Sequence, residues 1–347
     1  MPDKIFYVGI DVHLKSWNIT IMMDKLHQKT FSQPPDPEIL YNHLVNNYPG
    51  GAYHSAYEAG FSGYWTHFKL LELGIDSIVV NAADIPTTGK EKVQKEDSRD
   101  SKKIARSLRN DELTCIHIPS LISLGDRGLV RLRGSLVTDM ARAKNRIKSF
   151  LHFNGIHIPT ELVNTSWTKR FLDWLEGLEL RPSCKLTIEG YLSSYYETRK
   201  ILLKVTNQIR GLSRSTIYKQ DAELLQSIPG IGLITAMTTL TELEDMGRFA
   251  ALDQLCGFIG FVPSTNSSGD NERVGGITPR GHGVLRSALI ESAWIAARVD
   301  PALARSYYQY SNRMKSNKAI IRIAKKLLSR IRYVLKNKVP YVCGVLK

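Results

Sequence analysis

The chain has 347 residues, of which 43% are hydrophobic, and carries a formal net charge of +14. This length is enough for two or three cores, and this hydrophobic share argues against a disordered chain. The lack of any apolar run of about 18 residues argues against a membrane span, and the excess positive charge predicts a polyanionic partner.

The opening MPDKIFYVGI runs directly into a strand pattern, so neither a signal peptide nor a transit peptide is expected. Cys115, Cys184, Cys256 and Cys343 are far apart, and no pair has zinc-ligand spacing. Reduced thiols in a cytoplasmic compartment are the matching expectation.

In chain order, IFYVGIDVH and WNITIMM read as two strands joined through HLKS. SAYEAG reads as the end of a third strand. FSGYWTHFKLLELG has helical periodicity and stops at Gly74. IDSIVVNA is a short apolar strand. DSRDSKKIARSLRN reads as a helix with acids first and bases later, which suits the helix dipole. Residues 1–118 are therefore expected to form a mixed sheet with helices packed on it.

Residues 119–225 read as helical. Leu129, Leu132, Leu136, Met140, Ile147 and Leu151 recur at helical spacing, as do Leu192, Tyr195, Leu202, Val205, Ile209 and Leu212. Two such helices suit either a coiled-coil hairpin or dimer seam, or an ordinary bundle. The stretch from Pro159 to Pro182, with Trp167 and Trp174, reads as irregular.

Residues 226–347 open with SIPGIGLITA, which has the turn of a helix–hairpin–helix. Gly230 and Gly232 could present backbone N–H groups to a phosphate there, though a Gly-rich turn between helices needs no ligand. A Gly-, Ser- and Asn-rich stretch at 260–283 reads as a loop, and Leu285 to Ala297 as an apolar helix. Residues 302–347 contain no acid, and their Lys and Arg interleave with Ile and Leu as in a helix with one apolar and one basic face. Lys318, Arg322, Lys325 and Lys326 are candidate nucleic-acid contacts.

Four acids carry the chemical signal. Asp11 ends the apolar run FYVGI, Glu58 ends AYE, and Asp97 and Asp100 are three apart, on one helical face. Such acids could close around divalent cations, and hard Mg²⁺ prefers oxygen ligands of this kind. Each acid also has a plainer reading, as a cap, a turn residue or an ion-pair partner. Their order along the chain is what favours a metal site.

VGIDVHLKSW, YEAGFSGYW and KEDSRDSKKIARSL resemble, in order and spacing, the N-terminal domain of the Asp-Glu-Asp-Asp insertion-sequence transposases, relatives of the pilin-gene inverting recombinase. The resemblance implies a RuvC-like, ribonuclease-H-like fold holding Mg²⁺ (or Mn²⁺) at Asp11, Glu58, Asp97 and Asp100. Ser101 stands where many relatives have Ala, and no consequence is expected. CGFIGFVPSTNSSGDNERVGGITPRGHGVLRSAL resembles the C-terminal domain of the same family. This second resemblance implies a serine nucleophile at Ser268, with Ser267 as the alternative, and Arg273, Arg280 and Arg286 are placed in sequence to neutralise phosphate.

The expected function is a DNA recombinase or transposase acting on double-stranded donor and target DNA. The resemblance implies a noncoding guide RNA as a further partner, and strand exchange implies a dimer or tetramer. The alternative is a metal-dependent junction-resolving nuclease with no covalent step. An actin-like ATPase would need a glycine-bearing phosphate loop after Asp11, and Val-His-Leu-Lys stands there instead. A non-catalytic nucleic-acid binder would leave the ordered acids unexplained, because acids repel a phosphate backbone.

Overall fold

The structure is a computed structural model that describes residues 4–86, 97–163, 166–268 and 271–343; within these, the side chains of residues 97, 98, 264–268 and 271–275 lie outside the description. The chain divides into two compact units, Met1–Pro119 and Ser120–Lys347. The middle and C-terminal regions share the second unit.

The first unit contains β1 (Ile5–Val12), β2 (Trp17–Met23), β3 (Leu26–Gln33), α1 (Pro37–Asn47), β4 (Ala52–Glu58), α2 (Trp65–Glu72), β5 (Asp76–Val80) and α3 (Asp97–Arg109). The strands form one sheet in the order β3-β2-β1-β4-β5. β2 runs antiparallel to both neighbours, and β1, β4 and β5 are parallel. β3 and α1 were not among the sequence expectations. LHQKTFSQ has little apolar alternation, so its pairing to β2 decides its state. α1 starts at Asp36, whose side chain accepts from the Glu38 N–H, with Pro37 in the first turn.

The period-2 pattern of β1 sends Phe6, Val8 and Ile10 to one face, where they pack with Trp17, Ile19, Leu40, Leu44, Tyr57 and Leu70. The opposite face carries Ala56, Val80 and Ile104 in a smaller core under α3. Gly9 belongs to this second face. A Cβ there would stand 2.1 Å from the Ser101 carbonyl oxygen and 2.4 Å from the Ala105 nitrogen, so only glycine admits the helix so close to the strand.

The second unit contains α4 (Leu121–Phe153), α5 (Thr160–Val163), α6 (Lys169–Glu176), α7 (Pro182–Leu212), α8 (Lys219–Gln226), α9 (Leu233–Leu243), α10 (Leu252–Ile259), β6 (Pro263–Ser268), β7 (Asn271–Ile277), α11 (Gly283–Val299), α12 (Pro301–Ser311) and α13 (Ser316–Asn337). α4 and α7 pair with each other. Met140, Ala143, Ile147 and Leu151 of α4 meet Ile188, Leu192 and Tyr195 of α7, and Phe171, Leu172 and Leu175 of α6 cover them. The stretch expected to be irregular thus holds two short helices, because the amphipathic KRFLDWLE has this apolar surface to cover. The roots of the long helices join α8–α13 in the largest core through Val130, Leu136, Val205 and Ile209.

The 260–283 stretch corrects a sequence expectation: it holds a two-stranded antiparallel hairpin, β6–β7, where a loop was expected. Glycine and serine hide a strand in composition, and cross-strand pairing supplies what propensity does not. The basic end is two helices, with a break at Asn312–Lys315 between α12 and α13. The apolar face of α13 is buried in the main core. Among the described residues, no helix is long and apolar enough to cross a membrane.

Candidate functional site

The register of β1 and β4 determines where the first two acids lie. Gly9 pairs with Ala56 and Ile10 with Tyr57 in parallel. Asp11 and Glu58 are the next residues along each strand, and alternation puts both on the face that α3 covers. α3 is held there by the Gly9 contact and by a buried hydrogen bond between the hydroxyls of Thr20 and Ser101, 2.9 Å apart. Ser101 is therefore not inconsequential: it is fully buried and ties the helix that carries Asp97 and Asp100 to β2.

Electrostatics shows the acids gathered. The carboxyl of Glu58 is pushed above its usual range, first by burial; the Lys103 charge pulls it back, while Asp100 and Asp11 push it further up. Three of the four predicted acids therefore share one electrostatic neighbourhood. The Asp97 backbone opens α3 one turn before Ser101, and its side chain lies outside the described residues. His13 Nε2 stands 3.1 Å from Asp11 Oδ2. Among the described residues, no three or more His, Cys, Asp or Glu side chains are placed to hold a metal ion, and the Asp97 side chain lies outside them. The donor set nevertheless suits a hard divalent cation: it is all carboxylate, and Glu58 is under-compensated in a way that a cation would relieve.

The serine segment is positioned by its hairpin. Pro263 pairs with Ile277 at the base, and Ser267 and Ser268 pair with Glu272 and Asn271 at the far end. The side chains of Ser267, Ser268 and Arg273 lie outside the described residues. At the base, Arg286 Nη1 donates to the carbonyls of Thr278 (2.9 Å) and Arg280 (3.2 Å), so this guanidinium braces the hairpin. Arg280 itself is exposed. Gly260 and Gly281, both with positive φ, press together there: a Cβ on Gly281 would lie 2.6 Å from the Gly260 Cα.

The other predicted contacts divide. Gly230 has φ +89°, and a Cβ there would lie 2.3 Å from the Ser292 carbonyl oxygen, so this glycine admits α11. Gly232 precedes α9 and has open space around it. Lys318 and Arg322 are exposed on α13. Lys325 is partly buried near Cys256, and Lys326 donates to Ser306 Oγ at 3.1 Å. Farther along, Arg332 and Lys336 bind backbone carbonyls at Phe249–Ala250, and Lys338 pairs with Asp221 at 2.6 Å.

Sequence reasoning missed one polar group altogether. Glu242, at the end of the apolar helix α9, has a side chain only 1% exposed. Arg131 donates to it through two nitrogens at 2.7 and 2.8 Å, His282 Nε2 lies at 2.9 Å, and Arg127 Nε at 3.4 Å. Burial alone would raise its pKa, but the bonds from His282 and Arg131 hold it at about 2. The available signal was a lone acid inside LITAMTTLTEL, which must find partners when that helix is buried.

Comparison with known proteins covers both units. Residues 8–154 match the family model described as Transposase, of the DEDD type of IS110. Residues 222–309 match that of the Transposase IS116/IS110/IS902 family. The chain is 30% identical over 239 residues to the protein y4qE of Sinorhizobium fredii, covering 69% of this chain and 57% of that one, less than two thirds of its length. It is 27% identical over 311 residues to the transposase for insertion sequence element IS1533 of Leptospira borgpetersenii, covering 85% and 86%. It is 25% identical over 263 residues to the transposase for insertion sequence element IS1111A of Coxiella burnetii, covering 73% and 70%.

Proposed function

The chain is a member of the IS116/IS110/IS902 transposase family with both of its domains, and from that premise we propose that it cuts and rejoins DNA by metal-assisted attack of a serine. The observation that carries the proposal is the gathering of Asp11, Glu58 and Asp100 on one face of the sheet. With Asp97 they make a four-carboxylate set in the family's order, on a RuvC-like, ribonuclease-H-like sheet.

Asp11, Glu58, Asp97 and Asp100 would hold Mg²⁺ or Mn²⁺. The chemistry supplied by the bound ion is Lewis-acid polarisation of a phosphate oxygen. His13 orients the Asp11 carboxylate. Ser268, with Ser267 as the adjacent alternative, attacks the phosphorus: a phosphorus–serine oxygen bond forms, the bond to one deoxyribose oxygen breaks, and that oxygen leaves with a proton. The phosphoserine retains the bond energy for rejoining. Arg273, whose backbone pairs with Asn266 beside the serines, is a phosphate contact near the serine, and Arg280 at the hairpin's base and Lys318 and Arg322 on α13 are contacts farther along the DNA.

The partners are donor and target duplexes, a structured guide RNA and further copies of this chain. Support for the RNA is the +14 charge together with the lack of a base-reading motif in the sequence. Base pairing would then supply the sequence selection.

The test uses the full chain purified from its own host with co-purifying nucleic acid, incubated with DNA bearing the element's ends and Mg²⁺. Asp11→Ala, Glu58→Ala and Asp100→Ala should each abolish strand cleavage and leave binding intact. Cleavage retained in all three would overturn the carboxylate reading. Ser268→Ala should lose the covalent protein–DNA adduct; cleavage without an adduct in the wild type would point to the junction-resolving nuclease.

A further inference from the structure

Nothing in the proposed chemistry uses Glu242, yet Arg131, His282 and Arg127 all converge on its carboxylate. An ion pair this deep is often no more stabilising than apolar side chains of the same volume. Its use therefore has to be sought in what it orients.

His282 is the junction. It lies five residues past the end of β7 and immediately before α11. Its backbone N–H donates to the Phe258 carbonyl at 2.9 Å, tying the hairpin's exit to α10. Its Nδ1 accepts from the Leu285 N–H at 3.3 Å and caps α11. That acceptor role leaves the ring proton on Nε2, which donates to Glu242 at 2.9 Å. Glu242 in turn is gripped by Arg131 and Arg127 of α4. One imidazole thus joins the hairpin exit, α10, α11 and, through Glu242, the long helix α4.

We infer that His282 and Glu242 are positioning residues that aim the serine hairpin, by locking its exit to α4 through a buried carboxylate–imidazole bond. The hairpin magnifies any error at its base. Ser268 is the last paired residue of β6, five residues beyond Pro263, so roughly 16 Å of strand separates it from the base. A small rotation at His282 moves the far end by ångströms, and a misplacement of about 1 Å can slow a reaction about a hundredfold.

The decisive variant is His282→Asn. Asparagine is a good helix N-cap, so it keeps the cap on α11 and the backbone bond to Phe258, while being too short to reach Glu242. Resting on Ser268 as the nucleophile, the experiment measures the rate of covalent protein–DNA adduct formation at saturating DNA, well below each variant's melting temperature. His282→Asn and Glu242→Gln should bind DNA as the wild type does and form adduct at least about tenfold more slowly. Leu289→Ala, a cavity in the same core, serves as the control and should lower the melting temperature while leaving that rate unchanged. Wild-type adduct rates in a folded His282→Asn, or an equal loss in Leu289→Ala, would overturn the positioning role. Ser268→Ala is run in parallel; if it still forms adduct, the serine reading fails, and that result is distinct from a failure at His282.

Discussion

Two glutamates, half-buried Glu58 in the first unit and buried Glu242 in the second, are treated in opposite ways. Glu58 shares its surroundings with Asp11 and Asp100 and has Lys103 as the cation acting on it, so its carboxyl is pushed up. Glu242 is surrounded by Arg131, Arg127 and His282, and its carboxyl is held at about 2. Burial penalises the charged form in both. Where the protein supplies the compensating cations itself, the acid is part of the frame. Where acids stand near one another, as at Glu58, a bound divalent cation of the kind proposed above would add the compensation.

The largest expected effect that would break this comparison is on cleavage. Asp11→Asn keeps the volume and removes the charge, and strand cleavage should fall roughly a thousandfold or more while DNA affinity holds. Gel-resolved cleavage and a binding assay measure the two. Next is stability in the second unit. Glu242→Ala leaves the buried Arg127 without its carboxylate and takes a partner from the half-exposed Arg131, which costs about 3 kcal/mol by chemical denaturation.

The pH dependence sharpens the contrast because the two signs differ. Glu242 has a folded pKa below its ordinary value of 4.5, so its stabilisation is present above 4.5 and is lost as pH falls towards about 2. The loss is on the order of 3 kcal/mol and should vanish in Glu242→Gln. Glu58 has a raised folded pKa, so its contribution is largest below the ordinary carboxyl value and is lost as pH rises through the raised one. In melting scans without divalent ions, Glu58→Gln should remove that loss, and added Mn²⁺ should offset it in the wild type.

The smallest effects concern the supports. Ser101→Ala removes the hydroxyl bonded to Thr20, which also contacts Thr30 at 2.9 Å, so about 1 kcal/mol of stability is expected to go. Lys318→Ala and Arg322→Ala should each reduce the salt dependence of DNA binding by about one phosphate contact, with the fold unchanged. Deleting the basic end would be a poor test, because α13 supplies Ile323, Leu327, Leu328 and Ile331 to the main core.

The members of the candidate acid site, though not its use, were legible before folding. Strand-end acids at Asp11 and Glu58, and the helical Asp97–Asp100 pair, are local patterns of alternation and of spacing by three. The pairing of α4 with α7 was one of the alternatives that helical spacing left open, while the hairpin in place of a loop and the structural use of Gly230, Arg286 and Arg332 were not legible, because each depends on a neighbour distant in the chain. A basic residue looks the same in sequence whether it meets a phosphate or a backbone carbonyl.

By itself, the sequence determined which residues could ionise, which segments would alternate or coil, and that the whole would be basic, since these follow from side-chain chemistry and short-range periodicity. Tertiary structure alone decided which acids meet and which are neutralised. The parallel register of β1 with β4 and the glycine-sized gap under α3 bring Asp11, Glu58 and Asp100 together, while α4 and His282 enclose Glu242. Convergence of that kind is set by long-range packing, which no stretch of chain encodes alone.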